Sequence, residues 1–499
     1  MPKRISPIFL LPAIAGWCSI AAPSWSGSLG VFENQSDVGA VKHAGTARYD
    51  PRTQEYVLSG SGANMWADQD EFHYLWKRMT GDFILTARMH LLGTAAQPHR
   101  KIGWTVRSSL DGNSPHVVAV THGNGLTDLQ YRPAAGAATM EQTSAIQGAD
   151  VVQLERRGNT YTMSVARFGE PLTTEKPVEI ELGSGVYVGL FVCAHEADLT
   201  ERAVFSDVRI TVPARPDFVP YHDYIGSNIE ILEVASGHRQ LIYHSPESLQ
   251  APNWTRDGRA LIYNSKGRLY RLDLSTHRPL EIKTGFATNN NNDHVLSFDG
   301  KMLGISDQSD NNLSLVYTLP ATGGTPTKIT AAGPSYLHSW SPDGKFLVYT
   351  GGRNGNFDIY AIPSGGGAEI RLTDAPSLED GPEYTPDGRY IYFNSTASGL
   401  MQLWRMRPDG SEQERVTHSD TNDWFAHISP DGRQIVYLSF PPDVAPQEHP
   451  FYRQVYIRAM PAAGEPARVI AYVYGGQGTI NTPSWSPDST RVAFVSNSD

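Results

Sequence analysis

The sequence predicts an all-β chain, an antiparallel sandwich followed by a six-bladed propeller. Three observations carry this expectation. A short motif recurs six times in the carboxy-terminal half. Eight alternating apolar runs with little helical periodicity occupy the amino-terminal half. The chain also has 46 Gly and 34 Pro among its 499 residues, enough to supply many tight turns.

The repeat reads PNWTRDG from Pro252, HVLSFDG from His294, HSWSPDG from His338, PEYTPDG from Pro382, AHISPDG from Ala426 and PSWSPDS from Pro483, at intervals of 42, 44, 44, 44 and 57 residues. Each copy runs into a β-rich stretch, such as 260–264 or 346–350. The Asp-Gly pair between the two runs forms a reverse turn in which Gly tolerates positive φ and Asp caps its own turn. Third and fourth runs follow, as in 357–363 and 369–373, so each interval holds the four short strands of a propeller blade. Residues 227–234 and 239–244 read as third and fourth strands that arrive before any first strand, while 483–495 supplies a first and a second. Pairing the two ends completes a sixth blade and leaves no free sheet edge.

The amino-terminal half has no such period. Runs at 54–58, 82–89, 102–107, 117–121, 151–155, 161–166, 186–193 and 204–212 are broken by turn pairs such as Gly158-Asn159, which predicts a sandwich over 30–213. Pro213, Pro216 and Pro220 mark a short stiff linker at 214–222, and the propeller takes 223–499. At the start, Lys3 and Arg4 precede an apolar stretch over 5–22 interrupted by Pro7 and Pro12. It is too short and too broken to span a bilayer and reads as an export signal over 1–26, which places the mature chain in the periplasm or outside the cell and not within a membrane. Cys18 and Cys193 are the two cysteines, so neither a disulfide framework nor a cysteine zinc site is expected. With 41 basic and 52 acidic residues, net charge −11 and no basic block, nucleic acid is not an expected partner.

The six SPDG-type copies resemble the repeats of TolB-type propellers over roughly residues 218–499. The run order FHYLWKRMTGDFILTARM, KIGWTVRSSL, HVVAVTHGNG, QLERRGNTYTMSVA and VYVGLFVC resembles concanavalin A-like sandwich modules. The first resemblance implies a scaffold that docks an envelope protein, and the second an oligo- or polysaccharide ligand.

In a propeller the first strand of each blade lines the axial channel, so the residues just before each turn are the candidates. The fourth position back holds Pro252, His294, His338, Pro382, Ala426 and Pro483, and the third holds Asn253, Val295, Ser339, Glu383, His427 and Ser484. The expected ligand-binding set is His294, His338, Glu383, His427 and Asn253, joined by Asp293, Tyr336, Asp380, Asp423 and Trp424 from the neighbouring loops. His294, His338 and His427 are expected ligands of a divalent metal, which would act as a Lewis acid on a uronate; this resembles the oligogalacturonate lyase arrangement. The long interval adds FPPDVAPQEHPFY at 440–452, read as a wall or lid, and Trp66, His73, Tyr74, Arg107, His122 and Gln130 are candidates for a cleft in the sandwich. No GxSxG elbow, P-loop or dinucleotide fingerprint occurs. The expected function is an exported carbohydrate-binding or carbohydrate-processing protein with its ligand site in the propeller funnel; the alternatives are a docking scaffold and a metal-dependent polysaccharide lyase or hydrolase.

Overall fold

The computed structural model describes residues 28–93, 97–464 and 466–499, all of them strand, turn or coil. The expected export signal and Cys18 lie outside the described residues.

Two antiparallel sheets stack in the amino-terminal half. The seven-stranded sheet runs Asn34–Val38, Phe72–Thr80, Gly185–Cys193, Lys101–Arg107, His116–His122, Thr127–Arg132 and Met140–Thr143. The eight-stranded sheet is centred on Phe83–Leu92, flanked by Val151–Arg157 and Glu201–Thr211. Alternation sends Leu75, Trp104 and Val188 of the first sheet against Leu85, Leu154 and Phe205 of the second to form the core. The opposite face of the seven-stranded sheet is also covered. Met65 packs there, and Asp70, fully buried, accepts from Arg107 and Arg132 at 2.8 Å each. His73, Tyr74, Arg107, His122 and Gln130 are therefore buried and form no open cleft, while Trp66 is 36% exposed.

Six radial sheets form the propeller. Blade 1 runs Gln250–Trp254, Ala260–Ser265, Arg268–Asp273 and Arg278–Ile282 outward from the axis. Blades 2 to 5 repeat this order from innermost strands Asn290–Leu296, Ser335–Trp340, Glu379–Tyr384 and Asn422–Ile428. In the sixth sheet Ser227–Glu233 lies between Arg491–Asn497 and Arg239–Ser245, with Trp485 bridging to Val492 on the inner side.

The repeated turn shows why its residue types recur. In every copy the Ser or Thr hydroxyl donates to the turn Asp, as Ser341 does to Asp343 at 2.7 Å and Thr385 to Asp387 at 2.7 Å. The same oxygen accepts the amide that opens the next strand, Phe346 N to Ser341 Oγ at 2.9 Å. The residue after Asp is left-handed, φ +71° at Gly344 and +60° at Ser489, where the last copy lacks glycine.

The two halves share an interface. Val151 and Ala166 of the sandwich pack with Val469 and Tyr472 of blade 5. Arg209 donates to the fully buried Glu230 at 2.5 Å, Glu230 also accepts from Ser496, and Arg239 stands 3.5 Å away. Burial alone would raise the Glu230 carboxyl, but the two guanidinium groups override it and hold it near 2.

Candidate functional site

The innermost strands of blades 1 to 5 are not regular. Each ladder breaks near its middle, between Gln250 and Asn253, Asn290 and His294, Leu337 and Ser339, Asp380 and Glu383, and Trp424 and His427. Such bulges re-aim side chains, and here they interrupt the two-residue alternation along the channel. Phe425 sits in the last bulge with φ +58° and Gly381 in the one before with φ +62°. Polar side chains on the second strands hold the distorted backbone of the next blade. Asn264 donates to the carbonyls of Asn290 and Asn291, Ser306 accepts from Leu337 N, Thr350 from Gly381 N and Asn394 from Phe425 N.

Above these bulges lies a cavity of about 890 Å³, lined by the beginnings of the innermost strands. The linker contributes Tyr221 and the segment just after it Tyr224, and the insertion in blade 5 contributes Gln447, His449 and Phe451. Phe451 meets Tyr221 and Tyr224 edge-on, ring centroids 5.3 and 5.7 Å away, so the insertion and the linker together make one aromatic wall.

Four of the sequence-predicted residues line the cavity: Asp293, Tyr336, His338 and Asp380. The other six do not. Asn253, Glu383 and His427 rejoin the ladder below the bulge and stitch blades together. Glu383 lies 2.6 Å from His427 Nδ1 and accepts from Ile428 N at 3.1 Å, and His427 Nε2 meets the Ile480 carbonyl. Asn253 donates to the Pro483 carbonyl. His294 is fully buried, with Nε2 3.2 Å from the Ile262 carbonyl, and burial pushes its imidazole down to about 4. Asp423 is enclosed by the hydroxyls of Ser419, Thr421 and Ser439. Trp424 is buried beneath His449, with centroids 4.5 Å apart. The expected gathering of His294, His338 and His427 around a metal is not formed, because the bulges turn the three rings to different partners. Among the described residues no group of three His, Cys, Asp or Glu is placed to hold a metal ion.

The floor is a charged network. Asp380 accepts from Thr350 Oγ1 and Gly381 N at 2.7 Å each, with His338 Nε2 at 3.4 Å and His449 Nε2 at 3.8 Å. Burial opposes its ionisation, and these partners override burial to hold the carboxyl near 2. Burial also works to lower His338, but Asp380 and Asp293 outweigh it and keep the imidazole above its ordinary value. His449 is lowered, chiefly by burial. Asp293 goes the other way: burial, reinforced by the charge of Asp380 and only partly offset by His338, pushes it up to about 6. His449 escaped the sequence reading because it sits in the insertion, which has no counterpart in the other repeats. Asn264 and Lys266 lie at the end of a second strand, away from the innermost ones, and Gln250 lies on an innermost strand but outside the two positions that precede each turn.

The comparisons with known proteins fall on the propeller. A family profile described as the TolB beta propeller domain matches residues 336–443. An uncharacterised protein of Agrobacterium fabrum is 46% identical over 270 residues, which cover 54% of this chain and 92% of that protein. A solved TolB-type structure from Agrobacterium tumefaciens is 45% identical with a TM-score of 0.54, covering 56% of this chain and all of the other. TolB from Acinetobacter baumannii is 17% identical with a TM-score of 0.41, over 58% of this chain and 77% of that one. No described helix is long and apolar enough to cross a membrane. By the repeat, the blade order and the two Agrobacterium relatives, the chain belongs to the TolB-type β-propeller family.

Proposed function

We propose that this protein is an exported docking scaffold whose propeller funnel receives an extended peptide segment of an envelope protein. The observation that carries the reading is the lining of the 890 Å³ cavity, where the amides of Gln250, Asn291, Asn292, Gln477 and Asn481 surround the floor and aromatic rings form the wall. Each carboxamide carries a donor and an acceptor, the pair that a peptide unit presents; those of Asn291, Gln477 and Asn481 also bond within the site, while Asn292 Nδ2 has no partner. The aromatic wall covers side chains at small entropic cost. Export rests on the amino-terminal signal.

An oligosaccharide is the second reading. Its support is that the same amides suit hydroxyl groups and that Tyr336 and Phe357, with centroids 6.4 Å apart, offer flat faces at the rim. The concanavalin A-like assignment of the sandwich belongs to this reading, and its two stacked antiparallel sheets support it. Catalysis by a resident metal has no such support, since the histidines it needs do not converge.

A library of synthetic N-acetylated heptapeptides, screened on the full chain beside uronate and neutral oligosaccharides, separates the two. Docking predicts saturable peptide binding that is lost when Asn292→Trp fills the cavity. Oligosaccharide binding with no peptide bound would overturn it.

A further inference from the structure

We propose that the floor of the funnel is a subsite for a cationic group, an ammonium or guanidinium carried by the docked peptide, with Asp293 as its counter-ion and Asn292 as donor to an adjacent peptide carbonyl. The inference rests on the docking reading and specifies which side chain enters the funnel deepest.

Three carboxylates line the cavity, Glu247 at the rim and Asp293 and Asp380 at the floor, and their surroundings differ. Asp380 is satisfied by a hydroxyl, a backbone amide and two imidazoles. Asp293 accepts from Asn291 Nδ2 at 2.8 Å, and among the described residues no Lys, Arg or His forms an ion pair with it. The imidazole of His338 offsets this burial only in part and makes no ion pair with Asp293, and a buried carboxylate without a directly paired cation is unusual, because removing a charge from water is compensated only by pairing. Lys266 does not supply the charge: it lines the rim and is paired with Glu247 at 2.5 Å.

Beside Asp293, Asn292 lines the same cavity, is 4% exposed, and leaves its Nδ2 without an acceptor. A buried donor and a buried anion, consecutive on one bulge, are complementary to a cation followed by a carbonyl oxygen. A neutral sugar would leave the Asp293 charge unmet. A divalent ion would lack ligands, since no third His, Cys, Asp or Glu converges there among the described residues.

The test uses heptapeptides that bind the full chain. Wild type is expected to select Lys or Arg at one position. Re-synthesis with norleucine for Lys, or citrulline for Arg, should weaken binding about tenfold on wild type and less than about threefold on Asp293→Asn. The norleucine comparison on wild type stands whether or not the variant folds well. Bound peptides without a cationic preference, or an equal loss on the variant, overturn the subsite and leave docking intact. Failure of every peptide to bind overturns both.

Discussion

Phe425 stacks on His338, with ring centroids 5.8 Å apart and planes 20° from parallel. The contact joins blade 5 to blade 3 across the channel and depends on the left-handed backbone at Phe425. It leaves the His338 ring an apolar face and one charged edge, toward Asp380 3.4 Å away. Burial works to lower the imidazole, and the bond to Asp380 is the largest of the influences that raise it, ahead of the charge of Asp293. Asp380→Asn is expected to bring the His338 titration midpoint below 6.5, followed by NMR of the imidazole signals. The sign for stability follows: a raised imidazole contributes stability that is full below pH 6.5 and lost as pH rises through its folded value. An unchanged midpoint would show that Asp380 does not govern the ring.

Asp293 has a linkage of the same sign in a lower pH window. Its carboxyl is 3.8 when unfolded and about 6 when folded, so its contribution to stability is present below pH 3.8 and lost as pH rises through about 6. Asp293→Asn should therefore be more stable than wild type at pH 7.5 by about 1–3 kcal/mol, with the gap shrinking toward pH 4.5. Urea unfolding at the two pH values measures this. A gap independent of pH would mean that the buried charge is not its source.

The repeated turn makes a local prediction. Ser341→Ala removes both the bond to Asp343 and the acceptor for Phe346 N and should cost about 1–2 kcal/mol in denaturant unfolding. An equal loss is expected at Ser429, which makes the same two bonds.

At the interface, Arg209→Ala strips the buried Glu230 of its closest partner and should destabilise the chain by about 2–4 kcal/mol, since an orphaned internal charge costs more than the pair returns. Replacing both residues by methionine should cost less than the single change. If the double variant is the less stable in urea, the pair contributes more than charge balance.

The blades were legible because the turn leaves a local mark: a hydroxyl, an Asp and a small residue in fixed register, as at Ser341, Asp343 and Gly344. The site was only partly legible. Counting back from the turn assumes unbroken alternation, and the bulges break it, so His338 reaches the cavity while His294, at the same repeat position, turns to the Ile262 carbonyl. Asn264, Ser306, Thr350 and Asn394 hold those bulges from the second strands, and their common position shows only once the backbone they bond is known. His449 lies in an insertion without a counterpart, so no periodicity pointed to it.

Hydrogen exchange on the full chain with and without a bound heptapeptide measures most directly where a peptide docks. Protection concentrated in 289–294, 335–338 and 447–452 is the predicted result. Protection confined to the sandwich, with those three segments unchanged, would contradict it.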